Sequence, residues 1–285
     1  MYTLEALGVW KRYGNVVALE DVTIKVPKGI VYSIVGPNGA GKTTFLEGVL
    51  GLRLLDKGVL RLLGVEYSGR PPNEVLRRIG FVLDDMKMHD LLTVEENLKL
   101  SASLWRIRLD DYELKRVLEA VGMWDYVDVR YGKLSAGQKK RVDIAAALIG
   151  EPELLILDEP ETNLDPAARL EIMELIREIN ARGVTVIFSS HSLELVAKYA
   201  DRLAVIKRRI IAEGTPQELV SKFGGRWRLY VKSTKPLDGW EREGGYYVKE
   251  LASPAEVAEA LRGVEALDIK LMPPDLTDAF KKLLL

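Results

Sequence analysis

A glycine-rich segment of the sequence has the residue types and spacing of a loop that binds phosphate. It reads Gly36-Pro37-Asn38-Gly39-Ala40-Gly41-Lys42-Thr43 and fits the pattern G-x-x-x-x-G-K-[ST]. The glycines allow backbone N–H groups and the N-terminus of a following helix to surround an anion. Lys42 adds a positive charge for the outer phosphates, and the Thr43 hydroxyl can ligate Mg²⁺. A plain glycine-rich turn is the alternative, but the segment lies between an apolar run and a helical pattern, so the sequence predicts nucleotide binding.

Two adjacent carboxylates, Asp158 and Glu159, follow the apolar run Leu154-Leu155-Ile156-Leu157. Alone, such a pair is often only a solvated loop. Together with a phosphate-binding loop, it predicts the second half of the site. Asp158 would hold magnesium through water, and Glu159 would polarise the water that attacks the γ-phosphate.

His191 follows a third apolar run, within Phe188-Ser189-Ser190-His191-Ser192. A lone histidine at the end of a strand is commonly structural. This one falls at the edge where the phosphates are expected, so we predict that it hydrogen-bonds the γ-phosphate or the attacking water.

The elements that must position these groups alternate between strands and helices. The apolar runs 30–35, 154–157 and 184–188 are typical of strands buried on both faces of a parallel sheet, and each precedes a helical pattern. This alternation predicts an α/β domain with its ligands at the carboxyl ends of the strands. Residues from about 84 to 150 are predicted to form an inserted helical subdomain. The tail, 226–285, is predicted to be a small α+β appendage.

Composition excludes several other classes of protein. The 285 residues include 41 Lys and Arg against 42 Asp and Glu, which leaves no net attraction to nucleic acid. The chain has no cysteine, and its two histidines argue against a zinc site. The sequence has no apolar run long enough to span a membrane and no leader segment, so we expect a cytoplasmic protein.

The segment Leu134-Ser135-Ala136-Gly137-Gln138 completes a set of motifs. Ser135 to Gln138 is also a capping box at a helix start, and both interpretations can hold because a capped helix N-terminus suits an anion. With this segment, residues 1–220 resemble the ATP-binding subunit of an ABC transporter, with the motifs in that family's order. The resemblance implies a P-loop ABC ATPase fold over 1–222, in which a mainly parallel core sheet is joined by N-terminal antiparallel strands and by the helical subdomain.

The same resemblance implies a role for each matching residue. Tyr13 would stack on adenine, Asp158 would serve Mg²⁺, Glu159 would be the catalytic base and His191 the switch histidine, with Lys42 acting on the phosphates. The phosphates would be bound by Gly36, Pro37, Asn38, Gly39, Ala40, Gly41, Lys42, Thr43 and Thr44. The γ-phosphate of a nucleotide held by another subunit would be contacted by Ser135, Gly137 and Gln138. Asn163-Leu164-Asp165 resembles the family's loop across the dimer interface, and we include Asp165 among the nucleotide-binding residues.

Two positions depart from the family pattern. Ala136 stands where glycine is commoner, which the first turn of a helix tolerates. Asp84 stands where the family usually has a magnesium-contacting glutamine. A carboxylate can reach Mg²⁺ through water, so Asp84 is a third candidate ligand. Its added negative charge near the γ-phosphate predicts slower or more magnesium-dependent hydrolysis.

One phosphate-binding loop and one signature segment in a single chain imply that two ATP-binding domains assemble head to tail, as a homodimer or a heterodimer. The resemblance further implies a membrane-spanning permease whose cytoplasmic helix docks on the helical subdomain, which places this chain on the inner face of the membrane. The tail 271–280 resembles exporters of the drug-resistance type. Two alternatives stay open: a catalytically weak regulatory half of a heterodimer, and a soluble ABC ATPase that acts outside transport.

Overall fold

The computed structural model describes residues 1–83 and 88–284. These residues form two compact units, Met1–Thr215 and Pro216–Leu285. The strands of the first unit are β1 (Tyr2–Tyr13), β2 (Val16–Pro27), β3 (Val31–Val35), β4 (Lys57–Leu62), β5 (Val65–Tyr67), β6 (Ile79–Val82), β7 (Leu154–Leu157), β8 (Thr185–Ser190), β9 (Arg202–Lys207) and β10 (Arg209–Gly214). Its helices are α1 (Lys42–Val49), α2 (Asn73–Leu76), α3 (Val94–Leu104), α4 (Asp111–Ala120), α5 (Ala136–Ala147), α6 (Pro166–Ala181) and α7 (Leu193–Tyr199).

A six-stranded sheet forms the centre of the first unit, in the order β10-β9-β3-β8-β7-β6. Its strands are parallel except for β10, which runs antiparallel to β9. Every residue of β3, β7 and β8 is buried. These are the three apolar runs of the sequence, and the expected α/β fold with a mainly parallel sheet is confirmed. Because parallel strands end at the same edge, the groups that follow β3, β7 and β8 meet there.

A second sheet of this unit, ordered β2-β1-β4-β5, is antiparallel. Its long strands alternate between buried and exposed residues, as expected for a sheet with one packed face. Residues such as Leu4, Val9 and Ile24 join the same hydrophobic cluster as Phe45 of α1 and Ile156 of β7. The N-terminal sheet therefore shares one core with the central sheet.

Residues 88–153, between β6 and β7, are mainly helical. The N-terminus of α3 has a full capping box, in which the Glu96 N–H donates to Thr93 Oγ1 at 3.1 Å and the Thr93 N–H donates to Glu96 Oε2 at 2.8 Å. Helix α5 runs so close to β6 that a Cβ on Gly80 would lie 2.0 Å from the carbonyl oxygen of Ala147. This contact ties the helical region to the core sheet.

The second unit is a four-stranded antiparallel sheet with three helices. Its elements are α8 (Pro216–Phe223), β11 (Trp227–Lys232), β12 (Glu241–Glu243), β13 (Tyr246–Leu251), α9 (Val257–Ala260), β14 (Asp268–Met272) and α10 (Leu276–Leu284). The sequence predicts an ATP-binding domain over 1–222, whereas the structure groups α8 with the second unit. Within the described ranges, no helix has the length and apolar character needed to cross a membrane.

Candidate active site

The segment between β3 and α1 forms a tight loop at the carboxyl edge of the central sheet. Gly39 and Gly41 have φ values of 75° and 102°, in the region that favours glycine. A Cβ on Gly41 would also lie 2.5 Å from the carbonyl oxygen of Ala18. No side chain caps α1, whose N-cap is Gly41. The unpaired N–H groups of its first turn are therefore available to an anion.

A cavity of about 440 Å³ opens above this loop. Its volume falls within the range of small-molecule sites. The cavity is lined by Tyr13, Val16, Val17, Ala18, Asn38, Gly39, Ala40, Gly41, Lys42, Thr43, Thr44, Asp158, Glu159 and Arg208. The structure thus brings the predicted loop, both predicted carboxylates and the predicted adenine-stacking tyrosine to one space. Tyr13 is the last residue of β1, and its side chain is 42% exposed, which leaves the ring accessible to a stacking partner.

The ammonium group of Lys42 is buried and bound from two sides. It donates hydrogen bonds to the carbonyl oxygens of Gly36 at 2.8 Å and Pro37 at 3.3 Å. It also lies 3.2 Å from Glu159 Oε1. A buried charge needs such compensation, and the contact holds the lysine beside the carboxylate at the end of β7.

The buried carboxylate of Asp158 accepts hydrogen bonds from two hydroxyl groups. Thr43 Oγ1 donates to Asp158 Oδ2 at 2.7 Å, and the Ser189 hydroxyl donates to the other carboxylate oxygen. Hydroxyl and carboxylate oxygens are the donors that Mg²⁺ prefers, so this pair fits that ion. Residues 1–83 and 88–284 contain no cluster of three or more His, Asp or Glu able to hold a metal. A magnesium ion here would therefore complete its shell with phosphate and water oxygens.

Glu159 adopts a left-handed backbone conformation, with φ of 45°. Its N–H donates to Ser189 Oγ at 2.9 Å, and its carboxylate accepts a bond from Thr162 Oγ1 at 3.2 Å. His191 Nδ1 lies 3.3 Å from Glu159 Oε2. Burial acts to raise the pKa of Glu159, but the charge and hydrogen bond of Lys42, together with His191 and Thr162, outweigh it and keep that pKa below its ordinary value. The carboxylate is therefore ionised at neutral pH, as a base must be.

Three further residues around the site were not anticipated from the sequence. The Ser190 hydroxyl donates to Glu161 Oε1 and accepts from the Ser192 N–H at 2.9 Å. Glu161 is 2% exposed, burial raises its pKa, and its Oε2 has no partner among the described groups. This network links the loop after β7 to the segment that carries His191. In the sequence, the only sign of this network is the pair Ser189-Ser190 at the end of an apolar run.

Arg208 was also missed. It lines the cavity, and its N–H donates to the carbonyl oxygen of Ala40 at 2.9 Å. Its own carbonyl accepts from the Glu20 N–H at 2.8 Å. Since these are backbone bonds between distant parts of the chain, no local pattern could have indicated them.

Among the described residues, seven predicted ones do not line this cavity: Gly36, Pro37, Ser135, Gly137, Gln138, Asp165 and His191. Ser135 and Gln138 form a capping box on α5: the Gln138 N–H donates to Ser135 Oγ at 3.2 Å, and the Ser135 N–H donates to Gln138 Oε1 at 3.0 Å. Gly137 lies in the same turn. Asp165 caps α6 by accepting from the N–H groups of Ala167 and Ala168, each at 3.0 Å. Asp84, the predicted third metal ligand, lies outside the described residues.

Comparison with protein families gives one match that fits this site. The family model described as "ABC transporter" matches residues 19–162. The chain is 33% identical, over 293 residues, to Nod factor export ATP-binding protein I of Rhizobium sp. (strain N33), covering 98% of this chain and 96% of that protein. It is 35% identical, over an alignment of 310 residues including gaps, to daunorubicin resistance ATP-binding protein DrrA2 of Streptomyces coeruleorubidus. This alignment covers 99% of this chain and 95% of that protein.

Two solved structures resemble the fold. One is cbiO1 from Clostridium perfringens, described as part of the ABC transporter complex cbiONQ, with a TM-score of 0.70, 29% identity, and coverage of 78% of this chain and 91% of the other. The second is a dimeric post-hydrolysis state of the ATP-binding cassette MJ0796 bound to ADP and Pi, with a TM-score of 0.65, 26% identity, and coverage of 74% and 98%.

Proposed function

The chain belongs to the ABC transporter family, and from this premise we propose that it hydrolyses ATP in a site shared between two copies to drive an exporter. As a member of the family, it is an ATP-binding and ATP-hydrolysing subunit that powers a membrane transporter. The observation that carries the proposal is the contact of Lys42 with Glu159 beside the Thr43–Asp158 pair, at the mouth of one nucleotide-sized cavity. This arrangement contains both a phosphate-binding group and a base.

The phosphate-binding loop, residues 36–44, binds and orients the nucleotide. Its backbone N–H groups and the start of α1 face the anion, and Lys42 adds a positive charge to the outer phosphates. Thr43 and Asp158 would hold Mg²⁺, which supplies charge neutralisation on the phosphate oxygens when bound. Tyr13, at the rim, stacks on the base.

Glu159 accepts a proton from the attacking water. Its depressed pKa keeps it ionised. The bond that its N–H donates to Ser189 Oγ holds its backbone in place, and the bond from Thr162 Oγ1 holds its carboxylate. His191, 52% exposed and within 3.3 Å of the same carboxylate, is placed to orient that water or to contact the γ-phosphate. General-base help of this kind typically accelerates a reaction by about 10²- to 10⁴-fold.

The signature segment, Ser135 to Gln138, acts on the nucleotide of a second copy. Ser135 and Ala136 are exposed, Gly137 and Gln138 are half-buried, and none of the four lines the cavity of its own chain, which supports a role across an interface. Ser135 Oγ accepts a bond in the capping box, but its hydroxyl hydrogen stays available to donate to a phosphate oxygen. The dimeric cassette MJ0796 supports such an assembly. Asp165 lies on the loop that would cross the interface.

A membrane-spanning permease is the proposed partner of the helical region. A cavity of about 380 Å³ between β6, α3 and α5 is lined largely by apolar side chains, including Phe81, Trp105 and Ile107. Phe81 and Trp105 meet edge to face with their ring centroids 5.7 Å apart. An apolar groove of this kind suits a short cytoplasmic helix of the permease. The chain would then lie on the inner face of the membrane, with no nucleic acid as partner.

Export is the proposed direction of transport. The relatives with high coverage are named for Nod factor export and for daunorubicin resistance. The transported substance would be selected by the permease. Co-purification of a permease whose deletion blocks efflux of a compound supports export, and one whose deletion blocks uptake contradicts it.

Hydrolysis itself is tested by phosphate release from the purified chain, with Lys42→Ala as the blank. We expect the wild-type chain, alone or with its permease, to release phosphate clearly faster than Lys42→Ala across a range of Mg²⁺ concentrations. Equal rates under all these conditions would leave the regulatory half of a heterodimer as the better account. Retention of the chain on ribosomes or DNA at physiological salt would instead support a soluble, non-transport ATPase.

A further inference from the structure

The sheet of the second unit ends in a strand whose outer side is exposed. The strand order is β12-β13-β11-β14, and β14 pairs only with β11 within the described part of the chain. Three large apolar side chains on or beside β14 face solvent: Leu267, Ile269 and Met272 are 68%, 47% and 46% exposed. An edge strand has unpaired N–H and C=O groups, and exposed apolar side chains make it ready to pair with another strand.

The sequence of this edge is complementary to itself. It reads Leu267-Asp268-Ile269-Lys270-Leu271. When two such segments run antiparallel and are centred on Ile269, each Leu267 faces Leu271, and each Asp268 faces Lys270. Because side chains alternate along a strand, Leu267, Ile269 and Leu271 lie on one face of the sheet, and Asp268 and Lys270 lie on the other. A register shifted to centre on Asp268 or Lys270 would bring like charges together, so the charges disfavour both neighbouring registers.

The two charged side chains are already held on one face of the sheet. Asp268 Oδ2 accepts a hydrogen bond from Tyr246 Oη at 2.6 Å, and Lys270 Nζ lies 4.7 Å from the centre of the same ring. Lys270 Nζ is 3.8 Å from Asp268 Oδ2. Side chains that are ordered before association lose less conformational entropy when they pair.

We propose that β14 pairs in antiparallel register with β14 of a second copy of this chain. The two-fold axis passes beside Ile269, so the same five residues supply both halves of the contact. A second copy is favoured over an unrelated strand because the complementary apolar and charged positions all lie within this one segment. The result is a sheet continuous through both second units.

The contact has a role that rests on the proposed function. Pairing through β14 involves no nucleotide, whereas the shared ATP site closes and opens with each turnover. Two chains joined at β14 would stay at high effective concentration after hydrolysis has loosened the ATP-bound interface. The second unit would thereby keep the ATP-binding domains paired throughout the cycle.

A cysteine cross-link tests the register directly, because the natural chain contains no cysteine. In the full chain without nucleotide, Ile269→Cys places one thiol opposite its own copy, close enough for a disulfide. Mild oxidation should give a disulfide-linked dimer. Asp268→Cys is the matched control: its thiol faces Lys270, and its own copy lies on the diagonal, out of disulfide reach. Equal cross-linking of both variants, or of neither, overturns the proposal.

Charge exchange provides a second test in case oxidation perturbs the chain. Asp268→Lys alone and Lys270→Asp alone each bring like charges together and should sediment as monomers without nucleotide. An equal mixture of the two variants restores opposite charges and should form a heterodimer. A mixture that stays monomeric, or single variants that dimerise as the wild-type chain does, contradicts the self-pairing. Neither result bears on the ATP site, whose failure would appear separately as a loss of phosphate release.

Discussion

Glu159 combines three properties at one position: a depressed pKa, a contact with Lys42 and a left-handed backbone. The first two suit a base that must be ionised beside phosphate. The third is costly for a residue with a side chain, and such strain is typically retained at functional sites. We therefore place the chemistry at this residue and expect its replacement to separate binding, hydrolysis and stability.

Glu159→Gln should bind ATP and fail to hydrolyse it. Glutamine keeps the shape of glutamate and an acceptor for Thr162, but it cannot take a proton from water. We expect phosphate release to fall by about 10² or more, with ATP affinity retained in a fluorescence titration. Glu153→Gln is the control, because it removes a carboxylate that is ion-paired with Arg78 at the surface. A Glu159→Gln rate close to that of the control would exclude the base role.

The strain at Glu159 has its own test. With φ of 45°, glycine fits this position without penalty, whereas alanine does not. Both Glu159→Gly and Glu159→Ala remove the carboxylate and its contact with Lys42, so their difference isolates the backbone. We expect the glycine variant to be more stable by about 1 kcal/mol in urea denaturation. Equal stability of the two variants would mean that the backbone is not strained there.

At the residue scale, the sequence could predict that Lys42, Thr43, Asp158, Glu159 and His191 lie together, because each follows an apolar run. It could not identify Glu161 or Arg208. Their positions depend on Ser190 and on backbone bonds to Ala40 and Glu20, which bring together residues far apart in sequence. Such contacts exist only once the sheet has formed.

At the scale of elements, apolar runs located β3, β7 and β8 because both faces of a central parallel sheet are covered. The capping box at Ser135 likewise marked the start of α5. The short edge strand β14 was not foreseen. Its five residues alternate too briefly for a confident pattern, and only pairing with β11 defines it.

Helix α5 contains a half-buried acid, Asp143, that makes stability depend on pH. Burial raises the pKa of Asp143 to about 6, and Tyr131 Oη donates to its Oδ1 at 2.9 Å. Because the folded pKa exceeds the unfolded one, the folded state holds the proton more tightly. The protonated Asp143 carboxyl therefore stabilises the fold fully at low pH, and this contribution to stability is lost as the pH rises through about 6.

Asp143→Asn should remove this dependence while keeping an acceptor for Tyr131. When the pH is raised from 4 to 8, the free energy of unfolding of the wild-type chain should fall by about 2 kcal/mol relative to that of the variant. Urea midpoints of both proteins at the two pH values measure this difference. A wild-type-to-variant difference that is the same at both pH values would contradict this account of Asp143.

At the scale of the whole molecule, the described part of one chain lines the cavity with Tyr13, residues 38–44, Asp158 and Glu159, but not with the signature segment or Asp165. Ser135 is exposed and caps α5, as a residue that meets a second nucleotide should be. We therefore propose that one ATP is held by Lys42 of one copy and Ser135 of another. Hydrolysis would then separate the two copies and move the attached permease.

Mixing two inactive variants tests this claim most directly. Lys42→Ala removes the phosphate-binding charge, while Ser135→Asp keeps an N-cap but sets a carboxylate against the γ-phosphate. In a mixed pair, one site receives an intact Lys42 and an intact Ser135. The account predicts that neither variant alone releases phosphate and that an equal mixture does.

The control mixture combines Lys42→Ala with Glu159→Gln. Those two residues serve the same half of the site, so every mixed pair keeps one defect in each site and should stay inactive. Recovery of phosphate release only in the Lys42→Ala and Ser135→Asp mixture is the predicted result. No recovery in that mixture, or full activity of Ser135→Asp alone, would contradict a site shared between two copies of this chain.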